Sequence, residues 1–533
     1  MTTVAQALAQ SLLEAGIDTV FGLPGGENVE VLDALRRQGT NFVLVANESS
    51  AIYMADAQAR LTGKPGICLT TLGPGAANAY CGVAHAYFDR APVLVITAQP
   101  IDEQIGRHTH QMLDLQATFG PITKASLELT TEGSGQVVRN ALRLTTTGRP
   151  GPVHLGLSSE MSARTTQTGT SPDLAPTEAM TSTADLSATC DALRAAHRPA
   201  IVVGLGIEPD APYAELKRLA ETLQAPVLTS PKAKGSLADD HPLAGGTIGL
   251  TRTDPAYALL DEADLIVAIG FDVVELVKVW DQPQPLIWIA PWPNEDPVIP
   301  AIAELVGPLK PILEPLADIR SNPDPDWGTV RVEKYRSTLA KQRLPEPRPG
   351  RLRPQSVLDA VRRAAPRDTL VSTDVGSHKI LTALHWPALE PNRYFVSNGL
   401  SAMGFGLPAA IAAARVLREP VVCITGDGGL AMTLGELGLL RALDLPVVIV
   451  LMNDDALDLI RSGQLRSGRP AFGTEFTNPD FAAIARGYGV AYRRVASEQA
   501  CEQAVRYALT RGRPALVDAL IDPVSYPTTP RRG

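Results

Sequence analysis

The chain has 533 residues, enough at about 150 residues per domain for several full apolar cores, and its 45% hydrophobic and 20% charged residues exclude wholesale disorder and a membrane bundle. A formal net charge of -9, from 48 Lys plus Arg against 57 Asp plus Glu, argues against an electrostatic nucleic-acid binder. Five scattered cysteines without a CxxC pair argue against a disulfide framework or structural zinc. With no basic leader before an apolar core and no 18-residue apolar run, a cytoplasmic, unprocessed protein with no membrane span is expected.

Short apolar β-rich runs, at 42–46, 93–98, 201–204 and 265–270, alternate with helix-compatible stretches, the pattern of open parallel-sheet α/β domains. Two stretches without periodicity, 165–186 and 343–354, read as linkers and divide the chain into three α/β domains, 1–165, 186–340 and 353–533.

In the first block, Phe21-Gly22-Leu23-Pro24-Gly25-Gly26 makes one glycine-rich turn, and a strand over 41–46 leads into Asn47-Glu48-Ser49. Glu48 therefore stands at a strand end before a helix, where a first-turn acid is also simply favoured by the helix dipole. Gly73-Pro74-Gly75-Ala76-Ala77-Asn78 is a second glycine-rich turn before a helix. His108, His110, Gln111 and Asp114 follow, then Pro121-Ile122-Thr123-Lys124. In the middle block Gly204-Leu205-Gly206 follows a strand, but without a third glycine or a placed acid it is weak evidence for a dinucleotide.

The third block carries the most specific pattern. A buried strand over 421–425 runs into Gly426-Asp427-Gly428-Gly429, a helix is expected from about 432 to 443, and a second strand over 447–452 ends in Asn453-Asp454-Asp455. Ligands of open parallel sheets bind beyond the carboxyl ends of strands, so Asp427 and Asp454 converge on one crevice. Glycines admit backbone amides to an anion, and hard carboxylate oxygens suit Mg²⁺ bridging to phosphates. Each piece alone is also what a strand-to-turn junction or a helix N-cap supplies; the pair at this spacing points to a metal-diphosphate site.

Gly-Asp-Gly followed after 24 residues by Asn-Asp resembles the cofactor motif of thiamine diphosphate enzymes. That resemblance implies Mg²⁺ held by Asp427, the side chain of Asp454 and the carbonyl of Ala456. It departs from the family pattern at Asp454, where a second Asn is usual; aspartate is still a hard oxygen ligand. The resemblance makes Glu48 the carboxylate that hydrogen-bonds the aminopyrimidine ring and activates the cofactor, a task that burial against Ile52 and Met54 would assist.

The stretches 21–26, 48–66, 73–78 and 89–98 are similar to the pyrimidine-binding domain of acetolactate synthase and its relatives. By the same carry-over the three domains are pyrimidine-binding, central and diphosphate-binding. The cofactor-binding candidates are Pro24, Gly25, Asn78, Val375, Ser377, His378, Ser401, Gly426, Asp427, Gly428, Gly429 and Met432, with Met403 as the apolar wedge beneath the bent cofactor. His110-Gln111 resembles the catabolic, FAD-independent type, which implies Gln111 and Lys124 as catalytic or substrate contacts. Gly26, His110, Leu459 and Arg461 are substrate-pocket candidates, Arg461 for a carboxylate. The stretch Gly270-Phe271-Asp272-Val273-Val274-Glu275 is nearer the FAD-free pattern, so FAD is expected to be absent.

The activity implied is decarboxylation of a 2-oxo acid with carboligation, two pyruvate giving acetolactate and CO2. Simple decarboxylation, acyloin or 2-hydroxyacyl-CoA lysis, and a non-catalytic homologue keeping the fold stay open. Family architecture implies a homodimer as the minimum unit, paired into a homotetramer.

Overall fold

The computed structural model describes residues 2–100, 107, 110–167, 183–208, 210–251, 254–277, 279–295, 299–341 and 345–526. Three six-stranded sheets, every strand pair parallel, carry helices on their faces. All-parallel sheets need cover on both sides, which is why the strands read as continuous apolar runs and not as alternating ones.

The first sheet comprises β1 (Thr19–Leu23), β2 (Asn41–Leu44), β3 (Gly66–Thr70), β4 (Val93–Gln99), β5 (Ser126–Glu128) and β6 (Val153–Ser158), in the order β2-β1-β3-β4-β6-β5. The second holds β7 (Pro199–Val203), β8 (Val227–Thr229), β9 (Ala244–Thr247), β10 (Leu265–Ile269), β11 (Leu286–Ala290) and β12 (Ala303–Val306), ordered β12-β11-β10-β7-β8-β9. The third holds β13 (Val371–Thr373), β14 (Tyr394–Val396), β15 (Val421–Gly426), β16 (Val447–Asn453), β17 (Ala491–Val495) and β18 (Ala515–Leu520), ordered β14-β13-β15-β16-β18-β17.

By contacts the chain forms two compact units. The first contains residues 1–177 with 399–419 and 432–445, and hence the first sheet; the second contains 178–398, 420–431 and 446–533, with the other two sheets. Ser401, Met403 and Met432, drawn from the third sequence block, thus group with the first unit.

In the first unit, one face of the sheet is closed by an apolar cluster that includes Val4, Leu8, Leu12, Ile67, Leu94, Val138 and Leu155. The helix Glu48–Thr62 is buried over nearly its whole length, against the helices Pro74–Phe88 and Gly406–Leu417. Its alanines and Gly82 allow the close approach: a Cβ at Gly82 would lie 2.7 Å from Cβ of Ile52 and 3.1 Å from Cα of Ser49. His85 links the same two helices, its Nε2 3.0 Å from Asp56 and its Nδ1 3.0 Å from Asp89. Burial works against a charge on His85 but is outweighed by the two carboxylates, so its pKa is raised. Arg415 anchors the third helix by donating to Thr19 Oγ1 at 2.8 Å and Gln58 Oε1 at 3.2 Å.

The helix expected over 432–443 is corrected by the structure. A helix begins at Asp427 and stops at Met432, a 3-10 turn follows over Leu434–Glu436, and a second helix covers Leu437–Ala442. Thr433 leaves helical geometry (φ -126°), and in the 3-10 turn that follows Gly435 packs closely, a Cβ there lying 2.7 Å from Cβ of Ala46.

Replacing Gly82 by Val should separate the two helices and lower stability by about 1–3 kcal/mol, several degrees in Tm. Thermal unfolding of Gly82→Val beside Gly82→Ala checks this, the larger side chain costing more.

Candidate active site

In the first unit, strand order makes β1, β2 and β3 neighbours, so the turns after their carboxyl ends lie side by side. These turns carry Pro24–Gly25–Gly26, Glu48 and Gly73–Asn78. Asn47 caps the helix, its side chain accepting from Ser49 N at 2.9 Å, which leaves Glu48 as the first helical residue. Glu48 is only 2% exposed, and Asn78 Nδ2 donates to its Oε2 at 3.2 Å. Gly75 passes close beneath: a Cβ there would meet Glu48 Oε1 at 3.1 Å and Thr71 Cγ2 at 2.7 Å. Gly25 is equally constrained, a Cβ lying 2.3 Å from Thr71 Oγ1, whose hydroxyl donates to Glu27 at 2.6 Å.

Gln111 takes the left-handed conformation (φ 59°) and rests on Gly73, where a Cβ would come within 2.9 Å of its own Cβ. His110 is exposed, and His108 lies outside the described residues. Lys124 is directed elsewhere: its ammonium donates to the Thr147 carbonyl and its stem packs on Gly151. Burial, with the charge of Arg90, lowers its pKa to about 8. Ser401 is also left-handed (φ 56°), and Met403 is half-buried. A Cβ at the next residue, Gly404, would meet Thr433 Cγ2 at 3.1 Å and Met432 Cβ at 4.0 Å. Met432 is 63% exposed.

In the second unit the neighbours β13, β15 and β16 present Asp374–His378, Gly426–Gly429 and Asn453–Ala456 at their carboxyl ends. Asp374 accepts from Val375 N at 2.7 Å and from the Thr425 hydroxyl at 3.2 Å, and its carboxylate leaves no room for a Cβ at Gly429, which would lie 2.3 Å away. The His378 ring packs on Gly376 and Gly426. Burial pushes its pKa down to about 4, and its Nε2 is buried without a hydrogen-bond partner among the described residues.

Asp427 is 1% exposed and accepts from Gly428 N at 2.9 Å, Asp455 N at 2.8 Å, Asp454 N at 3.3 Å and Asn478 Nδ2 at 2.7 Å. Its pKa is nonetheless raised, by burial. Asp454 is pushed up to about 8 by burial, then by the charges of Asp427 and Asp458, against the pull of Arg461. The charges of Asp427 and Asp458 thus act on Asp454 together, against Arg461, which itself pairs with Asp458 at 3.1 Å and Glu475 at 3.5 Å. Asp458 also accepts from Ser377 Oγ at 2.9 Å, so it joins Ser377 to Arg461. Leu459 is half-buried on the same helix, Asp458–Arg466, and Ala456 is buried.

Asp374 and Asp458 are not singled out in the sequence, nor are Asn478 and Glu436. Asn478 Nδ2 reaches Asp427, Asn453 Oδ1 at 3.1 Å and Asp455 Oδ1 at 3.0 Å, tying both halves of the metal motif together. In sequence it is an Asn before Pro at a helix start, an ordinary signal. Glu436, in the first unit, binds the backbone just ahead of Glu48; an acid inside the apolar run 434–440 was its available sign.

In the second sheet, the Gly204–Gly206 turn is filled by the chain itself. A Cβ at Gly204 would meet Glu275 Oε2 at 2.5 Å, and one at Gly206 would meet Trp292 at 2.6 Å. Glu275 accepts from Leu205 N at 2.9 Å and from the Ser230 hydroxyl, and its pKa is raised to about 8 by burial.

Models of the thiamine pyrophosphate enzyme family match in three parts: the N-terminal TPP binding domain over residues 2–118, the central domain over 186–316 and the C-terminal TPP binding domain over 374–519. The chain belongs to the thiamine pyrophosphate enzyme family, and within it is acetolactate synthase-like. It is 32% identical to the acetolactate synthase isozyme 3 large subunit of Escherichia coli, over 98% of this chain and 95% of that one. To the acetolactate synthase of Bacillus subtilis it is 30% identical, over 97% and 93%. To the probable 2-ketoarginine decarboxylase AruI of Pseudomonas aeruginosa it is 32% identical, over 92% and 89%. No helix among the described residues is long and apolar enough to cross a membrane.

The raised pKa of Asp454 predicts a pH dependence for the metal-free protein. An unfolded aspartate titrates near pH ~4, whereas folded Asp454 keeps its proton to about 8. Between those values the unfolded chain has released a proton that the folded chain retains, so stability falls as pH rises through this window. Thermal melts from pH 5 to 8 should show that decline, and Asp454→Asn should flatten it.

Proposed function

We propose that this chain decarboxylates a 2-oxo acid and joins the remaining acyl fragment to a second one, with pyruvate as donor and acceptor and acetolactate as product. The observation that carries this is the buried Glu48 held by Asn78, in a chain that aligns end to end with acetolactate synthases. Thiamine diphosphate, when bound, supplies the nucleophilic carbon and the electron sink for CO2 loss.

The chain's own residues then divide the work. Glu48 holds or gives up a proton at Oε1 or Oε2 against the pyrimidine ring, oriented by the Asn78 amide. Gly25, Gly75 and Gly73 let backbone approach that ring, with Pro24 and Gly26 flanking it. Asp427, Asp454 and the carbonyl of Ala456 hold Mg²⁺, a hard donor set. Burial, with the charges of Asp427 and Asp458 added, keeps a proton on Asp454, and this supports a cation there, since a divalent ion would replace that proton. The orphaned His378 Nε2 supports a diphosphate beside Val375, Ser377 and Gly426–Gly429, because an anion would satisfy the nitrogen and favour the charged ring.

Met403 serves as the apolar support of the cofactor, with Ser401 and Met432 beside it. In the first unit Gln111 and His110 are the substrate-facing candidates; in the second Leu459 takes that role and Arg461 meets a carboxylate, while Lys124, bound to the Thr147 carbonyl, is not given that task. FAD is not part of this reading: Glu275 and Trp292 take up the room and the Leu205 N–H that a dinucleotide would use. A homodimer, paired as a homotetramer in the cytoplasm, completes the proposal. A plain decarboxylase is the second reading, favoured by the likeness to the probable 2-ketoarginine decarboxylase.

Incubation with pyruvate, thiamine diphosphate and Mg²⁺, with FAD omitted, should yield CO2 and acetolactate. Glu48→Gln should lower kcat by about 10²- to 10⁴-fold while retaining cofactor. CO2 without acetolactate would select the decarboxylase, and neither product would exclude pyruvate as the donor.

A further inference from the structure

Glu48 is the first residue of its helix, so its direction depends on the short stretch of backbone that enters it. The N–H groups of such a stretch have no partners inside the helix and must be satisfied from outside. At this entry the partner is a carboxylate from far along the chain. Glu436 Oε1 accepts from Ala46 N at 3.1 Å and Asn47 N at 3.2 Å, and its Oε2 accepts from Ala46 N at 3.2 Å. The Ser50 hydroxyl hydrogen-bonds the same carboxylate from the first turn of the helix.

The grip is dry and close. Glu436 is 1% exposed. Beside it Gly435 runs so near Ala46 that a Cβ would lie 2.7 Å away. Charge-assisted bonds of this kind in a water-excluded place are among the stronger ones a backbone can have, and they are directional. Glu436 touches neither Glu48 nor Asn78; its bonds fall on the residues immediately before Glu48 and two residues after it.

We infer that Glu436 is a positioning residue for Glu48: its carboxylate locks the 46–50 backbone and so fixes the angle at which the Glu48 carboxyl leaves the helix. This rests on the activating role proposed for Glu48. Burial of a carboxylate is costly unless each oxygen is bonded, and here the bonds are spent on the one helix entry that carries the candidate activating acid.

The test uses Glu436→Gln, which keeps size and shape but turns an NH2 group toward a backbone N–H, and Glu436→Asp, which keeps the charge. Two quantities are read. The first is hydrogen–deuterium exchange of the 46–50 amides in the cofactor-free protein; the second is kcat and KM for pyruvate in the loaded enzyme, with Glu48→Gln alongside. Glu436→Gln should speed exchange at 46–47 by about 10- to 100-fold and lower kcat by about 10- to 100-fold with little change in KM. Glu436→Asp should recover part of both.

Unchanged exchange would overturn the clamp itself. Faster exchange with unchanged kcat, while Glu48→Gln is inactive, would overturn the positioning role and leave a structural bond. If Glu48→Gln turns over like the unaltered protein, the activating role of Glu48 fails, and with it the catalytic purpose of the clamp, while the exchange data still decide whether the clamp exists.

Discussion

The chemistry of this chain rests on parallel register. Adjacent parallel strands end on the same side, so the turns after β2, β1 and β3 converge, as do those after β13, β15 and β16. Each convergence gathers side chains that are distant in sequence: Gly25, Glu48 and Asn78 in one sheet, and Asp374, Asp427 and Asp454 in the other. A slip of one residue in β2 would turn every side chain of that strand to the opposite face and change how the chain enters the Glu48 helix.

Around these convergences the protein holds acids where acids are costly. Glu48, Asp427, Glu436 and Glu275 are all nearly water-free. Each has hydrogen-bond donors, from Asn78, from Asn478 and the 454–455 backbone, from the 46–47 backbone, and from Leu205 N with Ser230. Their environments separate their tasks. Asp454 has another carboxylate as neighbour and keeps a proton to about 8, the state a cation would relieve. Glu275, raised to about 8 by burial with the charge of Asp272 adding to it, closes the turn of the second sheet, where Trp292 packs on Gly206.

The second sheet shows why a fold does not dictate a ligand. It has the same parallel architecture and a Gly-x-Gly turn at a strand end, yet that turn is occupied by Glu275, Phe271 and Trp292 from its own domain.

Much was legible in sequence because the signals are local. The strands at 42–46, 93–98, 421–425 and 447–452, the Gly426–Gly429 turn with Asp454 beyond the next strand, and Glu48 at a strand-to-helix junction are each written within a few consecutive residues. The one helix expected over 432–443 is instead interrupted by a 3-10 turn over Leu434–Glu436, where Gly435 and Glu436 meet Ala46, about 390 residues away by chain. The same holds for Asn478, Asp458 and Glu436, whose neighbours in sequence announce only a helix start or an apolar run. Sequence alone determined the parallel α/β class, the family and the Gly-Asp-Gly and Asn-Asp turns with their spacing, since period, turn chemistry and spacing are properties of contiguous chain. Tertiary structure decided which donors hold the buried acids, which side chains pack on each glycine turn and which backbone a distant carboxylate grips, because hydrogen bonding and exclusion of water depend on groups that only folding brings together.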